Sequence, residues 1–479
     1  MRRSLVALVS LVMIVAAACG DDGGGEDDSG GGNGGGDDVS EQRDELRAGG
    51  DDEATDGDVE PVSYDEAIEL SVEDVQAFWA EQLPEFYGQE YEPIPDENIR
   101  TYGPDQDLTE VSECFATSGV SDYEDVGPNA FYCSLDNTVV YDDFGLFPDL
   151  FDEFGGIGVA AVIAHEWGHA IQGQTSGLDA AESIVIETQA DCAAGAWVAR
   201  VEAGDSELLG LDEGELEVAM AAVLSFRDPP GSDPENPLAH GSGFDRVTAF
   251  QAGFIDGIAR CSTWQDEPPT FTELPFETIE EEESGGNLDL DELLPLVTDD
   301  LNAYWSDAAE EFEEIDEPVA YDVDDDDSLP ECDSVDFEGD DFRGKTFWCS
   351  DDNTVYYDEN LFDFVHEEYG DFGVAVLVSN AYATAVLEQA EFEGDVLTVD
   401  CLSGSWAGSI PPLGTRAAEI EISPGDLDEA IQSFLFVSSL AQESGEEAEL
   451  AFDRTAAFSA GFFAELESGT GIDVCTSVE

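Results

Sequence analysis

Nearly every stretch of this chain that carries a pattern carries it twice. Asn129–Asp142 (NAFYCSLDNTVVYD) recurs as Lys345–Asp358 (KTFWCSDDNTVYYD), Phe244–Phe254 (FDRVTAFQAGF) as Phe452–Phe462 (FDRTAAFSAGF), and Val75–Trp79 (VQAFW) as Leu301–Trp305 (LNAYW). A repeat of this length means one folding unit used twice, so an architecture that suits one half must suit the other. The halves run from 61 to 266 and from 288 to 479, and Glu267-Pro268-Pro269 with the acidic run Glu280 to Gly286 makes 267–287 a linker. Within each half the pattern is helix, short strands, then helices. Thr138 to Tyr141 is β-branched and aromatic and predicts a strand, while Gly158 to Gln172 and Ala180 to Glu202 predict helices, with a last helix after Phe244. The expected fold class is α+β, in two tandem copies.

The cysteines follow the repeat. Setting Cys19 aside, eight remain, four per half: Cys114, Cys133, Cys192 and Cys261, then Cys332, Cys349, Cys401 and Cys475. Even counts in an exported chain imply disulfides, and four cysteines allow three connectivities. The pairing expected is Cys114–Cys133 and Cys192–Cys261, with matching pairs in the second half. No Cys-x-x-Cys spacing suggests thiolate zinc.

Export is read from the N-terminus. Arg2 and Arg3 precede an apolar stretch, Leu5 to Ala18, of signal-peptide length and short for a membrane span. It ends in Ala16-Ala17-Ala18-Cys19, which resembles a bacterial lipobox, so residues 1–19 are expected to be a lipoprotein signal peptide with Cys19 acylated. Residues 20–60 are Gly, Asp, Glu and Ser with little apolar content and read as a flexible acidic tether. The expected location is the outer face of the cell membrane, held by the lipid on Cys19.

Charge narrows the partners. Asp and Glu number 115 against 13 Lys and Arg, a net charge of −102, and Lys345 is the one lysine. Such a surface repels phosphate backbones, which excludes nucleic acid as a partner. With 10% aromatic residues and periodic apolar positions, the acidity reads as a hydrated shell on a folded protein rather than disorder. Its self-repulsion calls for strong screening, and a salt-loving source is expected.

The chain has four histidines: His165, His169, His240 and His366. Two of them fall in His165-Glu166-Trp167-Gly168-His169, inside a predicted helix. Residues four apart project from one face, so both imidazoles reach one ion, and zinc accepts such nitrogens. A catalytic zinc needs a third protein ligand and an open position. The next helix offers Glu187 and Asp191 in a Glu-x-x-x-Asp pattern that resembles the third-ligand helix of the gluzincin peptidases. That resemblance implies Glu187 as third ligand and Asp191 as acceptor for an imidazole N–H; Asp191 as the direct ligand is the rival. Glu166 points away from the histidine face and is expected to act as general base on zinc-bound water.

The resemblance is wider than this motif. Residues 129 to 254 are similar to the neutral zinc metallopeptidase family of bacteria, through Asn129 to Cys133, Tyr141-Asp142, Val162 to Gln172, Glu187 to Trp197, His240-Gly241-Ser242 and Asp245-Arg246. The family usually has Gln before that Arg, where this chain has Asp245. The resemblance implies a zincin-like fold, one Zn2+ per chain and peptide or protein substrates, with an edge strand near the metal for which Thr138 to Tyr141 is the candidate. His240 is a candidate catalytic donor to the oxyanion, or else a packing histidine.

Aligning the halves places Asn380 opposite His165, Ala381 opposite Glu166, Thr384 opposite His169, Val396 opposite Glu187 and Ala448 opposite His240. The second copy is expected to keep the packing and lack the metal site. His366, opposite Phe151, reads as structural. The run Asp324 to Asp327 reads as a solvated loop rather than a calcium loop. Two functions compete: a zinc peptidase at the cell surface, and a lipid-anchored binding or scaffolding protein with a structural or vestigial zinc.

Overall fold

The computed structural model describes residues 62–175, 183–206, 210–211, 214–233, 236, 239–309, 311–325, 327–335, 337, 339–443 and 449–476. The signal segment, Cys19, the tether and Ala448 lie outside them. The described residues fall into two compact units, 62–275 and 276–476. No helix among them is long and apolar enough to cross a membrane.

In the first unit, α1 (Tyr64–Phe86) opens on a capping box, in which Ser63 and Glu66 satisfy each other's backbone N–H groups. Three strands follow: β1 (Ile99–Tyr102), β2 (Ala130–Cys133) and β3 (Thr138–Asp142). Asn137 takes the left-handed conformation (φ +55°) that closes the β2–β3 hairpin. The sheet order is β1-β3-β2, with β1 parallel and β2 antiparallel to β3. The β-branched run Thr138-Val139-Val140 is therefore the central strand, buried at every position. This corrects the expectation that Thr138 to Tyr141 forms the edge. Both sides of β3 are taken by ladders, and the edges are β1 and β2, whose residues are largely half-buried.

Helix α2 (Leu146–Gln174) is broken at Gly155, where φ of +66° interrupts the helical backbone. Its second segment is buried and carries His165, Glu166 and His169. Helices α3 (Ser183–Glu202), α4 (Glu215–Leu224) and α5 (Gly243–Asp256) follow, and two short helices, Glu113–Ser118 and Ile258–Thr263, carry Cys114 and Cys261. Glycines set how closely they pack. A Cβ on Gly168 would stand 2.8 Å from Ala190 Cα, so α2 and α3 nearly touch at the metal-motif turn. A Cβ on Gly195 would stand 1.9 Å from the Phe250 carbonyl oxygen, and one on Gly253 1.7 Å from that of Cys192. The backbones of α3 and α5 are thus in contact and have no side chain to yield. Gly253→Ala is expected to destabilise the unit by about 3 kcal/mol, the upper end for overpacking, measured by denaturant unfolding.

The second unit has α6 (Leu290–Ala308), strands β4 (Val319–Tyr321), β5 (Thr346–Cys349) and β6 (Thr354–Asp358), then α7 (Glu359–Glu368), α8 (Asp371–Gln389), α9 (Val396–Ser409), α10 (Asp426–Glu443) and α11 (Ala451–Ser468). Its sheet order is β4-β6-β5, with β4 parallel and β5 antiparallel to β6. Gly370 (φ +132°) separates α7 from α8 as Gly155 breaks α2. Trp197 Nε1 donates to Asp74 in the first unit, and Trp406 Nε1 donates to Asp300 in the second. A Cβ on Gly404 or Gly461 would stand 1.9 Å from the Phe458 or Cys401 carbonyl oxygen, as one on Gly195 or Gly253 would crowd its partner in the first unit. The four disulfides are Cys114–Cys133, Cys192–Cys261, Cys332–Cys349 and Cys401–Cys475, the pairing expected. Asp324, Asp325 and Asp327 are exposed in a turn, and Asp326 lies outside the described residues.

Candidate metal centre

Two helices build the site. On α2, one helical turn brings His165 and His169 to the same face, with ring centroids 4.7 Å apart. Their Nε2 atoms stand 3.0 Å from each other. From α3, Glu187 Oε2 stands 3.2 Å from His165 Nε2 and 3.4 Å from His169 Nε2. Three ligand atoms therefore converge from residues that the chain separates by a turn and a connection.

The other ring nitrogens decide what the converging ones can do. His165 Nδ1 stands 2.8 Å from Asp191 Oδ1, and an ionised carboxylate can only accept. His165 Nδ1 therefore carries hydrogen. His169 Nδ1 stands 2.9 Å from Gln172 Oε1, whose own Nε2 donates to the Ile186 carbonyl and to Gln189 Oε1. The amide is thereby oriented with its oxygen toward the ring, so His169 Nδ1 also donates. In the neutral imidazoles both Nε2 atoms are then bare lone pairs, facing each other and a carboxylate oxygen. That arrangement is repulsive unless a cation or proton lies among them. Tetrahedral zinc with ligands at about 2.0–2.1 Å holds its donors about 3.3 Å apart, and the three separations here bracket that value. The donor set fits zinc and leaves room for a fourth ligand.

Electrostatics favour a cation at the same point. Burial pulls the His165 imidazole down, but Asp191 and Glu187 outweigh it and lift its pKa to about 10. His169 is also raised: burial lowers it, and Glu187 overcomes that. Glu187, despite burial, is held well below the usual carboxylate range by the two histidines. In the metal-free protein the histidines thus hold protons that a metal must displace. Zinc affinity is expected to rise about tenfold per pH unit for each proton displaced between pH 5 and 8. Calorimetry in buffers of different ionisation enthalpy would count the protons released.

Behind His165 stands a second layer. Arg246, from α5, donates from Nε and from one terminal nitrogen to the two oxygens of Asp191, both at 2.8 Å, and from the other terminal nitrogen to the Phe226 carbonyl. Arg246 and Asp191 are almost wholly buried, and their bidentate geometry locks the carboxylate that orients His165. Gln189 extends the support behind His169 by donating to the Cys261 carbonyl. Gln172 and Gln189 were not singled out from the sequence; Gln172, one turn past His169 on the same face, was the available signal. Asp245, where the resembling family has Gln, accepts from the Thr272 backbone N–H and hydroxyl and so fastens the segment after α5.

Glu166 is buried, and its Oε2 has no hydrogen-bond partner among the described residues. Burial raises its pKa, against the His169 and His165 charges and the Tyr132 backbone N–H on β2. The edge strand β2 is therefore the strand beside Glu166. His240 stands apart from the ligand group. Its side chain is 52% exposed, with Nδ1 3.2 Å from Asp228 Oδ1, while the backbone N–H groups of His240 and Gly241 donate to Asp228 Oδ2.

In the second unit the same second layer persists without the ligands. Arg454 grips both oxygens of Asp400 at 2.8 and 2.9 Å, and Asn380 Nδ2 donates to Asp400 Oδ1 at 2.9 Å. Asn380 thus stands on Asp400 as His165 stands on Asp191. Ala381, Thr384 and Val396 provide no imidazole or carboxylate, and no metal-ligand trio forms beside Asn380 among the described residues.

Two histidines four apart on one helix, joined by a glutamate from the next, make a donor trio of the kind zinc hydrolases use. Comparison with known proteins points the same way: residues 109–264 match the model of a family described as "Putative neutral zinc metallopeptidase". The uncharacterized protein YpfJ of Escherichia coli K12 is 32% identical over 164 residues, covering 29% of this chain and 54% of that protein. The uncharacterized protein Rv2575 of Mycobacterium tuberculosis H37Rv is 31% identical over 159 residues, covering 28% and 53%. The chain thus spans about half the length of the curated relatives it matches. No solved structure matches.

Proposed function

We propose that this protein is a zinc peptidase whose first unit hydrolyses peptide bonds, with His165, His169 and Glu187 as metal ligands and Glu166 as general base. The observation that carries the reading is the convergence of two bare Nε2 lone pairs and one carboxylate oxygen beside a buried carboxylate with one oxygen lacking a hydrogen-bond partner. Bound there, zinc would acidify a water molecule and polarise a peptide carbonyl. Glu166 takes the proton of the attacking water and returns it to the leaving amine. Its place on the turn between the two ligand histidines gives it reach to both events. Asp191 and Gln172 hold each imidazole with Nδ1 protonated, and Arg246 fixes Asp191. A structural zinc would call for a fourth protein ligand, and among the described residues none joins the three.

A substrate segment would add to β2, the edge strand of the sheet next to Glu166. His240 is assigned the part of donor to the developing oxyanion. Asp228 holds it in a loop that Arg246 also grips through Phe226. His240→Ala should then lower kcat while KM and zinc content stay unchanged.

The second unit is proposed to descend from the first by duplication and to have lost catalysis, since it keeps the Asp400–Arg454 pair and the disulfide pattern without a ligand. The whole protein is placed at the outer face of the cell membrane, anchored by a lipid on Cys19, with an acidic surface suited to high salt. The reading is tested by incubating the full chain with an unstructured protein substrate before and after chelation. Cleavage should stop with chelator and return with zinc; cleavage unaffected by metal removal would defeat it.

A further inference from the structure

The second unit contains a cluster of carboxylates that no function above absorbs. Asp371 is the first residue of α8, and Asp426 and Glu429 lie in the first turn of α10. All three are buried, at 6%, 3% and 5% exposure, and each offers an oxygen within 4.8 Å of the other two. Each has one oxygen tied to the main chain. Leu288 N–H donates to Asp371 Oδ2, Ser423 N–H to Asp426 Oδ2, and Phe372 N–H to Glu429 Oε2. Asp426 Oδ1 has no hydrogen-bond partner although it is fully buried. Asp371 Oδ1 and Glu429 Oε1 accept from the Asn287 side-chain amide N–H2, at 3.3 and 3.0 Å. Three buried carboxylates from two helix starts therefore turn toward one point, and the Asp426 oxygen there is left without a donor.

No Lys or Arg forms an ion pair with the three among the described residues. The strongest charges acting on Asp426 and Glu429 are other carboxylates, Asp371, Glu281 and Asp428 among them, while Asp371 also feels the His366 imidazole. Three uncompensated buried carboxylates cost more than a domain can bear, so a positive charge must enter the cluster. The backbone accommodates this closeness: a Cβ on Gly370 would lie 2.1 Å from Glu429 Oε1.

We infer that Asp371, Asp426 and Glu429 form a structural site for a hard divalent cation, with calcium as the ion that suits it. The donors are all oxygens, as calcium prefers, and carry more negative charge than one proton could offset. Such an ion would join the starts of α8 and α10. The site is distinct from the acidic run at Asp324 to Asp327 and shares no residue with the zinc centre.

The test uses the full chain, stripped of divalent ions and held in molar potassium chloride to screen the acidic surface. Calcium is titrated into wild type and into Asp426→Asn and Glu429→Gln, with thermal unfolding and calorimetric binding as readouts. Wild type should bind one calcium saturably and melt at higher temperature with it. Each variant should bind at least about 100-fold more weakly and, with one repelling charge removed, melt no lower than wild type in the absence of calcium. That second reading separates loss of the site from failure to fold. Wild type that neither binds calcium nor gains stability from it would overturn the site, as would equal binding by wild type and variants. In the first case, stability that instead falls as pH rises would mark protons as the compensating charge.

Discussion

Glu166→Gln is expected to lower kcat for peptide hydrolysis by about 10²–10⁴, the range that a positioned general base supplies, while the protein keeps its zinc. The substitution is nearly isosteric and removes only the ability to take a proton. Glu166 is buried, carries an oxygen without a partner, and has its pKa raised by that burial, so it is placed to hold and release a proton rather than to serve as a salt-bridge anion. The measurement is hydrolysis rate beside metal content on the same preparation. A variant that retains zinc and cleaves at the wild-type rate would remove Glu166 from the chemistry. One that loses both zinc and fold would show that the side chain is structural.

Removing Asp191 should have a comparably large effect on stability. Asp191→Ala leaves the Arg246 guanidinium buried without its carboxylate and His165 Nδ1 without its acceptor. Breaking a buried pair by deleting one partner costs about 3–5 kcal/mol, and loss of an orienting partner weakens metal binding by about 10–100-fold. The second unit provides the internal control. Asp400→Ala deletes the corresponding partner of Arg454 and should cost similar stability, yet leave zinc affinity unchanged. Equal effects of the two substitutions on zinc binding would contradict the assignment of Asp191 as a positioning residue for His165.

The parts of the site that were legible in the sequence are those set by local geometry. His165, Glu166 and His169 lie within one helical turn, where spacing alone dictates a shared face. Glu187 and Asp191 are a turn apart on the next helix, and their roles came from resemblance rather than spacing; the structure brings Glu187 to the imidazoles and Asp191 to His165 Nδ1. What spacing cannot supply is the order of strands in a sheet. Val139 and Val140 looked like any half-buried strand, and only the ladders on both sides reveal β3 as central and β2 as the edge beside Glu166. Nor could it supply contacts made between distant segments. Arg246 reaches Asp191 across 55 residues, and the carboxylates at 371, 426 and 429 disappear into an acidic composition until folding buries them together. In a chain with 115 acidic residues, the few that matter are distinguished by burial and not by identity.

The most direct test is diffraction from crystals of the zinc-loaded full chain, with data collected on both sides of the zinc absorption edge. A strong anomalous peak is expected within about 2.0–2.2 Å of His165 Nε2, His169 Nε2 and a Glu187 carboxylate oxygen, with one face open toward Glu166. A peak lying elsewhere, or zinc-loaded crystals with no peak between the two imidazoles, would contradict it.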